Sequence, residues 1–194
     1  LTSLLVVTDA GLILIDGALA QSARLIAANI RAIGFDPLDI RYILNSHAHF
    51  DHAGGIAALQ RFTGAQVLAS EGSVVALQSG EITPTDPQYN FGAEANRFPA
   101  VRNVRVMGNE QSLTLGNTIL TAHYTPGHTP GGTTWTWQSC EETACLDVVY
   151  ADSLSAVSAD GFRFSDAGQS PNAARQISAS ASLIRELPCD ILLA

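Results

Sequence analysis

The feature that most restricts how this chain can fold is a run of six residues, His47-Ala48-His49-Phe50-Asp51-His52. It follows Ile40–Leu44, an apolar stretch that predicts a buried strand. Alternate side chains of an extended segment point the same way, so His47 and His49 can share one cation. Asp51 and His52 lie where the chain turns and can face a second point nearby. Because neutral imidazole combined with carboxylate suits zinc or iron, the run predicts a metal site at the end of a strand.

A second histidine stands in a loop rich in glycine and proline, Thr125–Gly132. This loop follows the predicted strand Thr118–Tyr124, and its Gly and Pro residues fix the backbone around His128. A zinc ligand must be held at about 2.0 to 2.1 Å from the metal, which such a backbone favours. His128 is therefore a further candidate ligand. His123, inside the strand, is predicted to be an ordinary sheet residue.

Hydrophobic periodicity predicts alternating strands and helices early in the chain and a cluster of strands later. The predicted strands are Leu4–Thr8, Leu12–Ile15, Ile40–Leu44, Gln66–Ala69, Val104–Met107, Ser112–Leu115, Thr118–Tyr124, Thr133–Trp137, Leu146–Ala151 and a last one at Asp190–Leu193. The predicted helices cover residues 20–33, 56–62, 72–78 and 172–187. The order predicts α/β layers with mixed sheets rather than a doubly wound parallel sheet. Residues 82–100 lack periodicity, and a loop of that length is usually functional or disordered.

Composition excludes two classes of partner. The chain has 10 basic residues, all of them Arg, against 18 acidic ones, and the formal net charge is −8. With no basic block, neither nucleic acid nor an anionic membrane surface is an expected partner. No apolar run approaches the roughly 18 to 20 residues of a membrane helix. Since the first residue is Leu rather than Met, we expect a processed chain or a fragment.

The cysteines leave two alternatives open. Cys140 and Cys145 are separated by four residues, and Cys189 stands alone. The close pair can form a hairpin-tip disulfide, which would imply an oxidising compartment, or can stay reduced in the cytosol. The odd count indicates a free thiol or a missing partner.

The motifs resemble those of the metallo-β-lactamase superfamily. Its His-x-His-x-Asp-His hallmark stands at residues 47–52, and its third-histidine motif matches residues 126–133. The chain is most similar to subclass B3 metallo-β-lactamases, through Leu14–Gly17, Ser46–Gly54, Tyr150–Ser155 and Pro188–Leu192. The resemblance covers essentially the whole chain. It implies a four-layered αβ/βα sandwich with two mixed β-sheets flanked by helices, and a single domain over residues 1–194 that is truncated at both ends.

The resemblance also implies a site with two zinc ions. The first zinc would be held by His47, His49 and His128. The second would be held by Asp51 and His52, with a third ligand beyond Ala194. Asp51 would also act in catalysis, by orienting the zinc-bound hydroxide that attacks the β-lactam carbonyl. Ser153 and Ser155 are candidates to bind the substrate carboxylate, and otherwise are ordinary strand-end hydroxyls.

The implied activity is zinc-dependent hydrolysis of the β-lactam ring amide of antibiotics, which confers resistance. The implied partner is a small β-lactam, the expected state is a monomer, and the expected location is the periplasm or the medium.

Cys140 and Cys145 resemble a disulfide found in some members, and Cys189 would have lost its partner with the C-terminus. Tyr89 and Phe91 of the 82–100 loop would form an apolar wall of the pocket or simply pack.

Two other functions are compatible with the sequence, since fold does not fix substrate. A glyoxalase II-like thioesterase or a lactonase on this fold would use an Asp to bridge the metals, from the strand that contains Asp152. Alternation along the strand lets only one of Asp152 and Ser153 face inward. An Asp152 that points at the metals favours this alternative, and a Ser153 that faces the pocket favours the lactamase. The third hypothesis is an inactive truncated module that binds one zinc.

Overall fold

Strands and short helices alternate through the first half of the computed structural model, which describes residues 2–166 and 172–194. The strands are β1 (Leu4–Thr8), β2 (Gly11–Ile15), β3 (Ile40–Leu44), β4 (Gln66–Ala69), β5 (Arg105–Val106), β6 (Ser112–Leu115), β7 (Thr118–Tyr124), β8 (Thr133–Glu141), β9 (Ala144–Tyr150) and β10 (Ile191–Leu193). The α-helices are α1 (Ala23–Ala32), α2 (Phe50–Ala53), α3 (Ile56–Thr63), α4 (Glu71–Ser79), α5 (Ala93–Asn96) and α6 (Ala173–Glu186). Short 3-10 turns cover Ala20–Ser22, Pro37–Asp39 and Tyr89–Phe91.

The first sheet has the strand order β1-β2-β3-β4-β5. β1 and β2 form an antiparallel hairpin, and β2 to β5 run parallel. Parallel neighbours need crossover connections, which α1, α3 and α4 supply in turn. The carboxyl ends of β2, β3 and β4 therefore meet at one edge of the sheet, where ligand sites of such sheets lie.

The second sheet has the order β10-β9-β8-β7-β6 and is antiparallel except for the β9–β10 pair. Tyr124 at the end of β7 pairs with Thr133 at the start of β8, so the loop 125–132 closes that hairpin. Trp135 pairs with Tyr150 at the end of β9, so residues 151–153 leave the sheet at the same end as this loop. Both segments with candidate site residues thus emerge together.

Side chains of the first sheet alternate between two apolar cores. Leu12 and Leu14 belong to the core under the helices, whereas Ile13 and Ile15 belong to the core between the sheets. The helix-side core also contains Ile30, Leu59, Leu77 and Phe98, and the inter-sheet core contains Leu120, Trp135, Trp137, Val148 and Tyr150. The layered arrangement of mixed sheets and flanking helices confirms the predicted sandwich.

Several predicted elements differ in extent from those observed. The helix predicted over 20–33 begins with a 3-10 turn, and Leu25 and Ile33 are 62% and 63% exposed because α1 buries Ala27 and Ile30 instead. β8 continues beyond Trp137 to Glu141, because Cys140 pairs in register with Cys145 and the hairpin extends to its tip. These two cysteines form a disulfide, and Cys189 is a free, exposed thiol.

The aperiodic segment 82–100 contains the 3-10 turn Tyr89–Phe91 and helix α5, with Ile82 and Phe98 buried in the helix-side core. Tyr89 and Phe91 are exposed. They do not pack in the core, so the prediction that they line a pocket stays a prediction. Within the described ranges, no helix combines the length and apolar character needed to cross a bilayer.

Candidate metal centre

Four imidazoles, those of His47, His49, His52 and His128, lie close together at the edge where loops of the two sheets meet. The ring centroid of His47 lies 4.8 Å from that of His49, 4.0 Å from that of His52 and 4.9 Å from that of His128. His49 and His128 are 4.8 Å apart. The run 47–52 leaves β3 in an extended conformation up to His49, and then Asp51 and His52 enter the short helix α2. The predicted change of direction after His49 is therefore present.

Candidate ligand atoms fall into two groups that share His47. One group is His47, His49 and His128, all buried, and the other is His47, Asp51 and His52. Within each group the ligand atoms lie within 4.8 Å of one another. Asp51 and His52 are partly exposed, so the second group is the one open to solvent. The predicted metal ligands up to residue 194 are thus brought together.

His47 and His49 are each held from behind by a buried carboxylate. Nδ1 of His47 is 2.7 Å from Oδ1 of Asp152. Nε2 of His49 is 3.2 and 3.1 Å from the two carboxylate oxygens of Asp86. Where these carboxylates are ionised they only accept hydrogen bonds, and each imidazole then donates through this nitrogen and keeps the lone pair of the other one.

His52 is held by Asp16, which follows β2 and is fully buried. Nδ1 of His52 lies 2.9 Å from Oδ2 of Asp16. The same carboxylate accepts hydrogen bonds from the backbone and side chain of Ser46, from Nδ2 of Asn45 and from the hydroxyl of Tyr150. Asp16 therefore joins β2, the end of β3 and the end of β9 at one point behind the site.

His128 is held by a backbone carbonyl. Its Nδ1 lies 2.8 Å from the carbonyl oxygen of Ser155, which can only accept, so Nδ1 is the donor. Gly127 adopts a φ of +142°, and a Cβ there would lie 2.5 Å from Cγ1 and 2.8 Å from the backbone nitrogen of Ile177 in α6. Ser180 of α6 also donates to the carbonyl of Pro126. The close packing of α6 thus fixes the loop that carries His128.

The surroundings of two candidate ligands, His47 and His128, favour the neutral form of the imidazole. Burial lowers the pKa of His47 well below its usual range, and the neighbouring imidazoles lower it further. Burial also lowers the pKa of His128. For His52, burial is outweighed by the hydrogen bond and charge of Asp16, which raise its pKa to about 8. Because a neutral imidazole is the form that binds a metal, His47 and His128 are prepared for ligation.

The pKa values of two carboxylates behind the site, Asp16 and Asp152, are shifted in opposite directions. Burial would raise the pKa of Asp16, but the His52 and Ser46 contacts outweigh it and the pKa is lowered. Burial raises the pKa of Asp152 to about 8, with His128 opposing. Oδ2 of Asp152 is buried without a hydrogen-bond partner among the described residues. A positive charge brought close to this carboxylate would lower its pKa and compensate that atom.

The donor set therefore fits a divalent cation. Metal-ligating histidines characteristically donate their other ring nitrogen to a carboxylate or a backbone carbonyl, and all four imidazoles here do so. Imidazole with one carboxylate is a zinc-type donor set, and a site open on one side is typical of catalytic rather than structural zinc.

The structure places Ser153 and Ser155 beside this centre, with their hydroxyls 2.8 Å apart; Ser153 is partly exposed and Ser155 is exposed. The residue turned inward is Asp152, which is 3% exposed. Its carboxylate lies behind His47, and neither group of candidate ligand atoms includes it. The orientation of Asp152 thus does not by itself separate the lactamase from the thioesterase or lactonase.

Sequence reasoning missed two residues of the centre. Asp86 falls within the aperiodic segment 82–100, where an isolated Asp carries no signal of its partner. Asp16 was noted within a family segment without a role. A buried strand that ends in a charged residue, as Leu12–Ile15 does before Asp16, is the signal that could have found it.

The family model of the metallo-beta-lactamase superfamily matches residues 2–188. The chain belongs to this superfamily. Among solved structures, Rm3 metallo-beta-lactamase is 48% identical with a TM-score of 0.94, and the match covers 99% of this chain and 70% of that one. MEM-A1, a subclass B3 metallo-beta-lactamase isolated from a soil metagenome library, is 45% identical with a TM-score of 0.93, covering 99% and 72%. The superfamily member described here thus has B3 enzymes as structural neighbours.

Curated relatives of this superfamily member have other activities. A hydroxyacylglutathione hydrolase of Anaeromyxobacter dehalogenans is 34% identical over 98 residues, which are 50% of this chain and 29% of the relative. An N-acyl homoserine lactonase of a Bacillus species is 29% identical over 105 residues, which are 53% and 34%. The chain thus matches about a third of the length of these curated relatives.

Proposed function

We propose that this protein is a zinc-dependent β-lactamase of the B3 type, which hydrolyses the ring amide of β-lactam antibiotics. The observation that carries the proposal is the set of four imidazoles, each oriented by its own acceptor, at the open edge of a fold whose solved neighbours are B3 enzymes. His47, His49 and His128 would hold one zinc ion. Asp51 and His52 would supply ligands to the second, with the third ligand outside residues 1–194.

Bound zinc supplies two things to a hydrolysis, a water with a pKa near 7 and a Lewis acid that polarises the carbonyl. The residues of the chain determine where this chemistry acts. The buried group of His47, His49 and His128 fixes the inner position, and the partly exposed Asp51 and His52 face the side from which substrate arrives. Asp51 is proposed to orient the attacking water, since its partly exposed carboxylate lies 3.9 Å from Nε2 of His52 on the open side of the site.

The hydroxyls of the partly exposed Ser153 and the exposed Ser155 are proposed to bind the substrate carboxylate. They are paired with each other, and Ser155 also holds His128 through its carbonyl, so substrate bound there would lie next to the inner ligands.

The disulfide at the β8–β9 tip supports the proposal of a periplasmic or secreted enzyme, because disulfides persist in oxidising compartments. We further propose that residues 1–194 belong to one domain and that the protein acts as a monomer.

The proposal is tested by nitrocefin and carbapenem hydrolysis with and without a chelator. We expect chelator-sensitive turnover that falls by about 10²-fold or more in His47→Ala and in Asp51→Asn, because loss of a catalytic group typically has effects of this size. His123→Ala is the matched control, since His123 lies in β7 with its Nε2 2.9 Å from the hydroxyl of Thr136 and outside both ligand groups. Chelator-resistant turnover, or equal rates in all variants, would contradict the proposal.

The second candidate is a thioesterase or lactonase. The similarity to a hydroxyacylglutathione hydrolase and an N-acyl homoserine lactonase favours it. The same purified enzyme is offered a glutathione thioester and an N-acyl homoserine lactone. Chelator-sensitive turnover of either, with none of the β-lactams, would replace the first proposal by this one.

A further inference from the structure

The segment 82–100 reaches the metal centre through one side chain. Asp86 is 5% exposed, although its neighbours Tyr89 and Phe91 are 44% and 48% exposed. Both of its carboxylate oxygens lie within 3.2 Å of Nε2 of His49. A buried carboxylate is costly unless it is paired, so its burial here depends on the His49 contact.

The position of Asp86 is set by its own turn. Its backbone N–H donates to the carbonyl of Thr83, at 2.9 Å, and its carbonyl accepts from the N–H of Tyr89, at 3.1 Å. Oδ1 of Asp86 also accepts from the backbone N–H of Gln88, at 2.8 Å. The carboxylate is therefore fixed by the 82–100 segment and not by β3, the strand that leads into His49.

This contact selects which nitrogen of His49 can bind a cation. The carboxylate accepts from Nε2, so the proton resides there and Nδ1 keeps its lone pair. A ring without this acceptor would be free to rotate and to place its proton on either nitrogen. Asp86 thereby sets both the tautomer and the orientation of the ring.

A second segment is joined to the same arrangement. The carbonyl of Pro87, next to Asp86, accepts from the N–H of the buried Ala159 at 3.0 Å. Ala159 belongs to the segment after β9, whose Ser155 carbonyl holds His128. The two loops beside the centre each hold one ligand of the inner group and are hydrogen-bonded to each other.

We propose that Asp86 is a positioning residue for His49, so that the 82–100 segment controls the metal affinity of the group His47, His49 and His128. The inference rests on the proposed function only in taking zinc as the cation. It adds a residue outside the ligand motifs, and makes an aperiodic loop part of the metal centre.

The test compares Asp86→Asn with the wild-type protein. Asn keeps an oxygen for the Gln88 N–H, so the turn persists, but it places an amide N–H₂ against Nε2 and favours the wrong tautomer. We expect zinc affinity, measured by competition with a chromophoric chelator, to fall by about 10- to 100-fold, the usual effect of losing the acceptor behind a ligand. Glu81→Gln is the control, because it removes one carboxylate charge next to the same segment, at an exposed ion pair with Arg97 of that segment.

A second measurement is made on the metal-free protein and requires no zinc. Imidazole ¹⁵N chemical shifts of the metal-free wild-type protein are expected to show His49 protonated at Nε2, and Asp86→Asn is expected to move that proton to Nδ1. A His49 protonated at Nδ1 in the wild-type protein would overturn the inference. So would equal zinc affinities of Asp86→Asn and Glu81→Gln. These two outcomes leave the proposed function intact. If the wild-type protein binds no zinc, in contrast, the proposed function fails together with the inference about Asp86.

Discussion

At the scale of single residues, the centre depends on acceptors behind the imidazoles as much as on the imidazoles themselves. Asp16 shows this most clearly, since its carboxylate accepts from a backbone N–H, an amide, two hydroxyls and an imidazole. Its φ is +62°, a conformation that Asp and Asn tolerate better than most residues. The residue is therefore suited to its position in both backbone and side chain.

Asp16→Asn is expected to lower the free energy of unfolding by about 3 kcal/mol. Asn retains the backbone conformation but loses the charge and leaves buried donors facing an amide N–H₂, which is costly. Urea denaturation of the metal-free protein measures the change. Asp39→Asn, at an exposed carboxylate 3.8 Å from Arg41, should change stability by less than about 0.5 kcal/mol. Equal losses in the two variants would contradict this account of Asp16.

The histidines were predictable from sequence because their spacing within 47–52 and the fixed loop around His128 carry the signal locally. Asp86 was not, because it contacts a residue 37 positions away and nothing in the local pattern indicates that partner. The sequence predicts that one of Asp152 and Ser153 faces inward, and in the structure it is Asp152. What it contacts, Nδ1 of His47, depends on tertiary packing 105 positions away.

At the scale of elements, α4 and the loop before β8 are locked together. The carbonyl of Gly131 accepts from the hydroxyls of Ser70 and Ser73 at the start of α4. Gly72 faces the same loop, and a Cβ there would lie 2.6 Å from the carbonyl oxygen of Pro130. The first turn of α4, which packs on the first sheet, thus abuts the loop of the second sheet that carries the candidate ligand His128.

Gly131→Ala is expected to destabilise the protein by about 1 to 3 kcal/mol and to reduce zinc occupancy, as overpacking of this kind usually costs that much. The added methyl would meet the backbone of Ser73 and lie 2.6 Å from the carbonyl carbon of Gly72, so the His128 loop must move. Denaturant unfolding and bound-zinc analysis provide the two readouts. Gly108→Ala is the matched control, since its Cβ would meet nothing closer than 3.4 Å. Unchanged stability and occupancy in Gly131→Ala would refute the locking described.

Most elements followed from local periodicity, because β2, β3 and β4 alternate between two cores and need continuous apolar runs. The extension of β8 to Glu141 was not predictable, since its polar tip residues pair only because the disulfide and β9 lie opposite. The exposure of Leu25 and Ile33 likewise depends on which side of α1 meets the sheet.

At the scale of the whole molecule, the centre connects the two sheets. His47, His49, Asp51 and His52 come from the first sheet, and His128 and Asp152 from loops of the second. A cation bound to both groups stabilises the folded state by mass action, since the unfolded chain lacks this arrangement. Metal content and global stability should therefore change together.

Chelator treatment is expected to lower the melting temperature, and added zinc to restore it. At a free zinc concentration 100-fold above Kd, linkage gives about 2.7 kcal/mol of stabilisation. Differential scanning calorimetry of His123→Ala should show the same chelator-induced shift as the wild-type protein, and His128→Ala a smaller one. A melting temperature indifferent to both chelator and zinc would contradict the role of the centre as a link between sheets.

The separation of 105 positions between His47 and its acceptor Asp152 has a consequence for biosynthesis. A ribosome has completed the run 47–52 and the first sheet long before the strands that deliver His128 and Asp152 leave the exit tunnel. A nascent chain therefore exposes a partial set of imidazoles with one acceptor missing behind them. The finished geometry arises only after translation has passed residue 155, so the complete set of imidazoles and acceptors cannot assemble before that point.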